Sequence, residues 1–166
     1  MKNLILSALL AFGILSPLSY AQEGIDSTSQ QETSANIAAT AKKLDSFKGK
    51  INSKAKYYAY LFSASWCTPC RAIMPDIVKE YRKMKRAGLE VILICADRGE
   101  VAAKDYVKKY RIKFPYVLAS DPEVSTLPGF RPARGIPNVI FVDAAGNVIT
   151  SGHGAMLLKW EDIIKK

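Results

Sequence analysis

The feature that most constrains this chain is a pair of cysteines placed between a predicted strand and a predicted helix. Residues 57–62 are aromatic and apolar throughout, which is typical of a buried strand. After the cysteines, apolar side chains recur at the spacing of one helix face, and they are Ile73, Met74, Ile77, Val78, Tyr81 and Met84. Cys67 therefore falls near the N-cap of the helix, and Cys70 lies one turn inside it. Pro69 fits this first turn, because the N–H that it lacks would have no partner there.

This placement favours a particular chemistry. The free N–H groups and the dipole at a helix N-terminus stabilise a thiolate at Cys67. A thiolate with a second thiol one turn away is the arrangement that thiol–disulfide exchange requires. In that reaction one sulfur attacks a disulfide, and the other resolves the mixed disulfide.

Three other roles for the cysteine pair compete with redox exchange. A structural disulfide that closes so short a loop would remove little entropy from the unfolded chain. A c-type haem site needs a histidine after the second cysteine, and Arg71 stands there. A zinc site has four candidate ligands, which are Cys67, Cys70, Cys95 and His153. The chain offers no second close pair, however, and Cys95 lies in an apolar run. Redox exchange is the favoured interpretation, with the zinc and structural roles as its alternatives.

The residues around the cysteines resemble the thioredoxin superfamily. The sequence Trp-Cys-Thr-Pro-Cys at 66–70, between a strand and a helix, is similar to the thioredoxin active site. The wider run from Phe62, with Arg71 and Pro75, resembles the tryparedoxin and nucleoredoxin branch. A second motif at 135–143 is similar to the cis-proline loop of the family and the strand that follows it. The resemblance extends over roughly residues 55–165, and two motifs in the right order make it specific.

The resemblance implies a fold and a set of site residues. The fold is an α/β thioredoxin fold, in which helices flank a central mixed β-sheet, here with an N-terminal helical extension. Cys67 would attack and Cys70 would resolve, while the backbone of Ile136, held by a cis Pro137, would pair with an extended substrate chain. The residues expected to shape the site or bind substrate are Trp66, Thr68, Pro69, Ile136 and Pro137. No metal or organic cofactor is implied beyond the redox-active disulfide.

The sequence departs from its relatives at one position. Thioredoxins usually carry a buried carboxylate six residues before the first cysteine, and here that residue is Leu61. Either another group, with Asp97 one candidate, or water must then carry the proton of Cys70. Asp97 ends the next predicted strand, where open α/β sheets place their sites, although capping a loop is an alternative role. Arg71, one residue beyond the pair, is the other candidate for tuning it.

The N-terminal residues predict an exported protein. A basic residue, a short apolar run and small residues before position 22 are typical of a secretory signal peptide cleaved after Ala21. The apolar run is too short to span a membrane comfortably. The predicted organisation is a signal peptide over 1–21, a flexible polar leader over 22–34 and one thioredoxin-like domain over 35–166. The expected location is periplasmic or secreted.

Hydrophobic spacing and turn residues predict the remaining elements. The predicted helices cover 35–47, 68–87, 100–110 and 155–165, and the predicted strands cover 57–62, 89–97, 114–119, 139–143 and 148–151. Pro75 is expected to kink the second helix, and Gly88 is expected to cap it. Cys95 is expected to be an inert core residue, and His153 an ordinary residue of a loop after the last strand.

Charge and composition limit the partners. The chain has 24 Lys and Arg against 15 Asp and Glu, a net charge of +9. The basic residues are spread over predicted helix faces and no nucleic-acid-binding module is visible, so nucleic acid is not an expected partner. Acidic proteins and anionic membrane surfaces are partners that this charge favours. The expected partners are protein disulfides or thiols and a membrane-borne or thioredoxin-type electron donor, and the expected state is a monomer.

The direction of electron flow is predicted from the two residues between the cysteines. An oxidising compartment suggests an oxidase. Thr68 and Pro69, however, lack the histidine often found in strong oxidants and resemble the pair in reducing thioredoxins. The sequence therefore predicts an exported thiol–disulfide oxidoreductase that reduces protein disulfides. A disulfide oxidase and a non-catalytic thioredoxin-fold binding module are the alternatives.

Overall fold

The computed structural model describes residues 37–165. The predicted signal peptide, the predicted leader and the start of the predicted N-terminal helix lie outside the described residues. That helix, α1, is present over residues 37–43, and it buries Ile37 and Ala41. It ends at residue 43 rather than at 47, and a turn then leads to an isolated β-bridge between Lys48 and Tyr116.

The rest of the described chain alternates strands with helices and then closes with a hairpin. The elements in chain order are β1 (Tyr57–Ser63), α2 (Thr68–Arg86), β2 (Leu89–Cys95), α3 (Glu100–Tyr110), β3 (Tyr116–Leu118), a 3-10 turn (Val124–Thr126), β4 (Asn138–Asp143), β5 (Val148–His153), a 3-10 segment (Gly154–Lys159) and α4 (Trp160–Ile164).

These strands form one mixed sheet in the order β3-β2-β1-β4-β5. β1 pairs in parallel with β2, and β2 in parallel with β3, so helices connect these strands. β1 pairs antiparallel with β4, which forms the hairpin with β5. The predicted α/β thioredoxin fold, with a mixed sheet flanked by helices, is confirmed.

The two faces of the sheet bury two separate cores, because successive side chains of a strand point to opposite faces. One core joins β1 residues Ala59 and Leu61 to the apolar stripe of α2 and to Tyr106 of α3. The other joins Tyr58 and Tyr60 to α1 and the loop before β4. All seven residues of β2 are buried, as expected for a central strand covered on both faces.

Several predicted boundaries were wrong by small amounts. Ala87 is the C-cap of α2, and Gly88 follows it with a φ of 87°. β2 ends at Cys95 rather than at residue 97, and β3 is shorter than predicted. His153 is the last residue of β5 rather than part of a loop after it.

The C-terminal helix differs most from its prediction. Residues 154–159 form a 3-10 segment, and only Trp160–Ile164 are α-helical. Leu157 and Trp160 are buried there, whereas Ile163 and Ile164 are half-buried. Within residues 37–165, no helix has the length and apolar character needed to cross a bilayer.

The fold brings three chain segments to one edge of the sheet. β1 and β2 are parallel and in register from Tyr57 and Leu89 to Ser63 and Cys95, so the residues after both strands emerge side by side. β4 runs the opposite way, and its first residue, Asn138, pairs with Phe62. The loop before β4 therefore meets the cysteine-bearing loop that follows β1.

Candidate active site

The cysteine pair lies at this edge, at the start of α2. Cys67 and Cys70 form a disulfide. Cys67 is the N-cap of the helix, and its Sγ accepts a hydrogen bond from the backbone N–H of Cys70 at 3.2 Å. Cys70 is fully buried, and Cys67 is 5% exposed, so the reachable sulfur is that of Cys67. After reduction, the same N–H group would stabilise a thiolate on Cys67.

The loop before β4 packs against this sulfur. The peptide bond between Ile136 and Pro137 is cis. The carbonyl oxygen of Ile136 lies 3.7 Å from the Sγ of Cys67, and Ile136 packs against the cluster formed by Ala64, Cys67 and Cys70. Among residues 37–165, no group accepts a hydrogen bond from the backbone N–H of Ile136. The backbone beside the reachable sulfur therefore has a free donor.

Trp66 stands at the surface next to the pair. Its side chain is 63% exposed, although most tryptophan side chains are largely buried. Its Nε1–H donates to the carbonyl of Ala96 at 3.3 Å, which ties the indole to the end of β2. Thr68 and Pro69 are exposed in the first turn of α2. Nη2 of Arg71 donates to the Oγ1 of Thr68 at 3.1 Å.

Asp97 holds the loop that precedes the cysteines. Its carboxylate is 4% exposed and accepts hydrogen bonds from both the backbone N–H of Ser65, at 3.0 Å, and the Ser65 hydroxyl, at 2.6 Å. It also accepts the thiol hydrogen of Cys95, with 3.2 Å between Sγ and Oδ2. Within the described part of the chain, no hydrogen bond joins Asp97 to Cys70.

Comparison with known proteins places the chain in a family. Residues 33–151, more than half of the chain, match the AhpC/TSA family. The chain belongs to the AhpC/TSA family. It is 37% identical over 100 residues to nucleoredoxin of Xenopus laevis, covering 58% of this chain and 24% of that protein. It is 33% identical over 106 residues to the thiol-disulfide oxidoreductase ResA of Bacillus thuringiensis subsp. konkukian, covering 63% of this chain and 60% of ResA.

The solved structure of tryparedoxin II from C. fasciculata is similar to this AhpC/TSA protein as well. The two are 28% identical, with a TM-score of 0.55 over 72% of this chain and 91% of the other. These relatives confirm the resemblance to the thioredoxin superfamily and to its tryparedoxin and nucleoredoxin branch. The chain spans about a quarter of nucleoredoxin and three fifths of ResA.

Within residues 37–165, no carboxylate forms a hydrogen bond with Cys70, and position 61 holds a leucine. Leu61 is fully buried and packs in the same core as Met74 and Ile77 of α2. Among residues 37–165, Glu90 has a fully buried carboxylate, which accepts hydrogen bonds from the Tyr81 hydroxyl and the Asn52 N–H. Burial raises the pKa of Glu90, and it raises that of Tyr81. Glu90 lies near the start of β2, whereas the cysteines lie beyond the carboxyl ends of β1 and β2, at the other end of these strands.

Cys95 is a free and fully buried cysteine. Burial raises the pKa of its thiol to about 12, so the thiol is protonated at neutral pH. In that state it donates to Asp97 and packs as a small apolar side chain. That Cys95 takes no part in the exchange reaction stays a prediction.

The four zinc ligands suggested by the sequence do not come together. In the described range, 37–165, no three or more His, Cys, Asp and Glu side chains form a group that could hold a metal ion. Nδ1 of His153 instead accepts the backbone N–H of Ala155 at 3.2 Å and caps the 3-10 segment.

Sequence reasoning missed Ser65 as a site residue. A signal for it was available in the spacing. Ser65 comes two residues after Ser63, Asp97 comes two residues after Cys95, and Ser63 and Cys95 are partners in the parallel register. Polar side chains at equal distances beyond two parallel neighbouring strands meet at the same edge of a sheet.

Proposed function

We propose that this AhpC/TSA protein is an exported thiol–disulfide oxidoreductase that reduces disulfides in protein substrates through Cys67 and Cys70. The observation that carries the proposal is the disulfide at the N-cap of α2, in which the reachable sulfur accepts a helix N–H group. The similarity to ResA, a thiol-disulfide oxidoreductase, supports the same reaction class.

The reaction proceeds by two exchanges from the dithiol state. The Cys67 thiolate attacks one sulfur of a substrate disulfide; a mixed disulfide forms, the substrate S–S bond breaks, and the leaving sulfur takes up a proton. Cys70 then loses its proton and attacks the Sγ of Cys67, which closes the Cys67–Cys70 disulfide and releases the second substrate sulfur as a thiol. The substrate gains two electrons and two protons, and the protein dithiol supplies them.

The partially buried position of the pair suits these roles. Cys70 is shielded, so it meets only the mixed disulfide on Cys67 and not a bulky substrate. The free N–H of Ile136 and its carbonyl can pair with the substrate backbone beside its cysteine, as in recognition by strand addition. The exposed Trp66, which directly precedes Cys67, is proposed to shield the approach to the sulfur.

Asp97 supports the site through the loop and not through a direct bond to Cys70. Its carboxylate binds Ser65, two residues before the attacking cysteine. The proton of Cys70 in the reduced state is proposed to pass either through Asp97 or through water, the two routes left open by the leucine at position 61. Arg71 is proposed to stabilise anionic sulfur from the first turn of α2.

The remaining parts of the proposal rest on the sequence. Export follows from the signal-peptide pattern of residues 1–21. A dithiol donor, either membrane-borne or of the thioredoxin type, restores the reduced pair after each turnover. The protein acts as a monomer, with no metal or organic cofactor.

The test is reduction of a disulfide-bonded protein substrate with dithiothreitol as the donor. Cys67→Ser should abolish turnover, and Cys70→Ser should accumulate a mixed disulfide on Cys67. No turnover by the folded wild-type protein would identify a binding module instead. Equilibration with glutathione then gives the direction: a potential near about −270 mV fits a reductase, and one near about −120 mV would make the protein an oxidase.

Export is tested separately by fractionating cells that express the full chain. The proposal expects a shortened protein, cleaved near Ala21, outside the cytoplasm. A full-length protein retained in the cytoplasm would contradict it.

A further inference from the structure

We propose that this site selects acidic polypeptide segments, so that the preferred substrate disulfide is flanked by Asp or Glu side chains. This inference rests on the proposed function and names its substrate class. The observation behind it is a set of arginines close in sequence to the cysteine pair or to residues that pack against its cluster, which we call the arginine rim. The rim consists of Arg71, Arg98 and Arg134.

Each of the three chain segments at the pair contributes one arginine to the rim. Ala96 and Ile136 pack against the cluster formed by Ala64, Cys67 and Cys70. Arg98 follows Ala96 by two residues, and Arg134 precedes Ile136 by two residues. Arg71 directly follows the pair on α2. Three separate chain segments that meet at the pair therefore each carry an arginine within two residues of it or of a side chain packed against its cluster.

The rim arginines form no ion pair in the described part of the chain. Arg98 and Arg134 are exposed, and among residues 37–165 no carboxylate forms an ion pair with either of them. Arg71 donates to a neutral hydroxyl, that of Thr68. The site therefore presents positive charge to an approaching substrate.

The two carboxylates of the 96–100 segment bind other groups and form no ion pair with the rim. Asp97 is 4% exposed, and its oxygens are occupied by Ser65 and Cys95. Glu100 forms an ion pair with Lys48 at 3.2 Å, on the side where α1 connects to the sheet. Neither carboxylate is left to pair with a nearby arginine.

Geometry limits which substrate residues meet the rim. A substrate chain that pairs with Ile136 is extended and advances about 3.3 Å per residue. Exposed charges are screened beyond about 8 Å at physiological salt. Acidic side chains within two or three residues of the substrate cysteine therefore interact with the rim, and more distant ones do not.

A polypeptide fits these observations better than an anionic membrane. The rim belongs to the segments that meet at a sulfur, which can react only if a substrate disulfide comes within bonding distance, and Ile136 offers a free backbone donor to an extended chain. A flat lipid surface uses neither feature. The experiment below also measures binding to anionic vesicles, which separates the two kinds of partner.

The experiment compares three disulfide-bonded peptides that differ only in the four residues flanking each cysteine, which are Glu, Gln or Lys. The rate of reduction by the protein is divided by the rate with dithiothreitol alone, because flanking charge also alters the intrinsic reactivity of a disulfide. We expect kcat/KM for the Glu peptide to exceed that for the Lys peptide by about tenfold or more at low salt. The ratio should fall toward one at 1 M salt, where screening is nearly complete.

Charge reversal identifies the residues responsible. Arg98→Glu combined with Arg134→Glu should invert the Glu-to-Lys ratio, and this ratio does not depend on the fraction of active protein. The matched control is Arg82→Glu, an exposed residue of α2. It lies fifteen residues after Cys67, roughly 22 Å along the helix, and should leave the ratio unchanged.

Three results would overturn the inference, and each points to a different error. Equal normalised kcat/KM values at low salt, with the Gln peptide still reduced, would refute the acidic substrate class and leave the oxidoreductase function standing. Failure to reduce any peptide would refute the proposed function and the substrate class with it. Binding of phosphatidylserine vesicles that the double reversal abolishes, without peptide discrimination, would show that the rim binds membranes.

Discussion

Asp97→Asn tests whether one buried carboxylate holds the loop that presents Cys67. The native carboxylate accepts three hydrogen bonds, two from Ser65 and one from the Cys95 thiol. Asparagine has the same shape but a single acceptor oxygen, and its amide N–H₂ would face donors. A hydrogen bond to a charged group contributes about 1.5–3 kcal/mol, and a buried donor left unpaired costs a similar amount. We expect the free energy of unfolding to fall by about 2–3 kcal/mol.

The assay is urea unfolding of the oxidised protein at pH 6, where free thiols exchange slowly with the disulfide. With a slope of about 2 kcal/mol/M, the urea midpoint should fall by about 1–1.5 M. Asp105→Asn is the matched control, because Asp105 is exposed on α3 and should change the free energy by less than about 0.5 kcal/mol. A midpoint for Asp97→Asn within the error of this control would refute the reasoning.

A second variant shows whether the effect passes through the loop. Ser65→Ala removes the hydroxyl that donates to Asp97 at 2.6 Å but leaves the backbone bond. We expect it to cost about 1–1.5 kcal/mol, since Ser65 is half-buried. The double variant should cost less than the sum of the two single variants, because both remove the same bond. Strict additivity would show that Asp97 stabilises the fold by some other route.

Three further predictions concern the neighbouring residues. In the single-cysteine variants, alkylation of Cys67 should be faster than that of Cys70 and should reach its half-maximal rate at lower pH, because only Cys67 caps the helix; equal profiles would contradict this. In a Cys67→Ser/Cys70→Ser background, the protonated Cys95 thiol contributes stability fully below its unfolded-state pKa near about 8.5 and loses it as pH rises toward its folded pKa of about 12. Between pH 8.5 and pH 10, the protein with Cys95 should therefore lose roughly 2 kcal/mol more of its free energy of unfolding than the Cys95→Ala variant, as measured by urea unfolding. An equal loss with and without Cys95 would contradict this. In the native protein, Cys95→Ala should preserve turnover. Gly154→Ala should lower the thermal midpoint by the equivalent of about 1–3 kcal/mol, since its Cβ would lie 2.7 Å from the Cβ of Pro137, whereas Gly135→Ala meets nothing within 4 Å and serves as the control.

The predicted elements that were right depend on local patterns. The strand over 57–62, the N-cap position of Cys67 and the apolar stripe of α2 are properties of residues close together in the chain, so their spacing alone determines them. The positions of α3 and of the hairpin were close to their predictions for the same reason. The family resemblance added the mixed sheet flanked by helices, which no local pattern contains, and the structure then supplied the strand order.

The errors occur where contacts between distant segments decide the backbone. β2 ends early because Asp97 turns from the sheet to bind Ser65. The segment after β5 is tighter than an α-helix where Gly154 packs against Pro137 and donates its N–H to the Pro137 carbonyl at 3.0 Å.

The sequence by itself determined that a reactive cysteine pair begins a helix after a buried strand, because helix capping and periodicity act over a few residues. Only the tertiary structure decided what surrounds that pair: the Ile136 carbonyl beside Cys67, the Asp97 bonds to Ser65, and the burial of Glu90 at the other end of β2. These partners are separated by tens of residues along the chain. Their meeting depends on strand order and register, which the packing of the whole sheet selects.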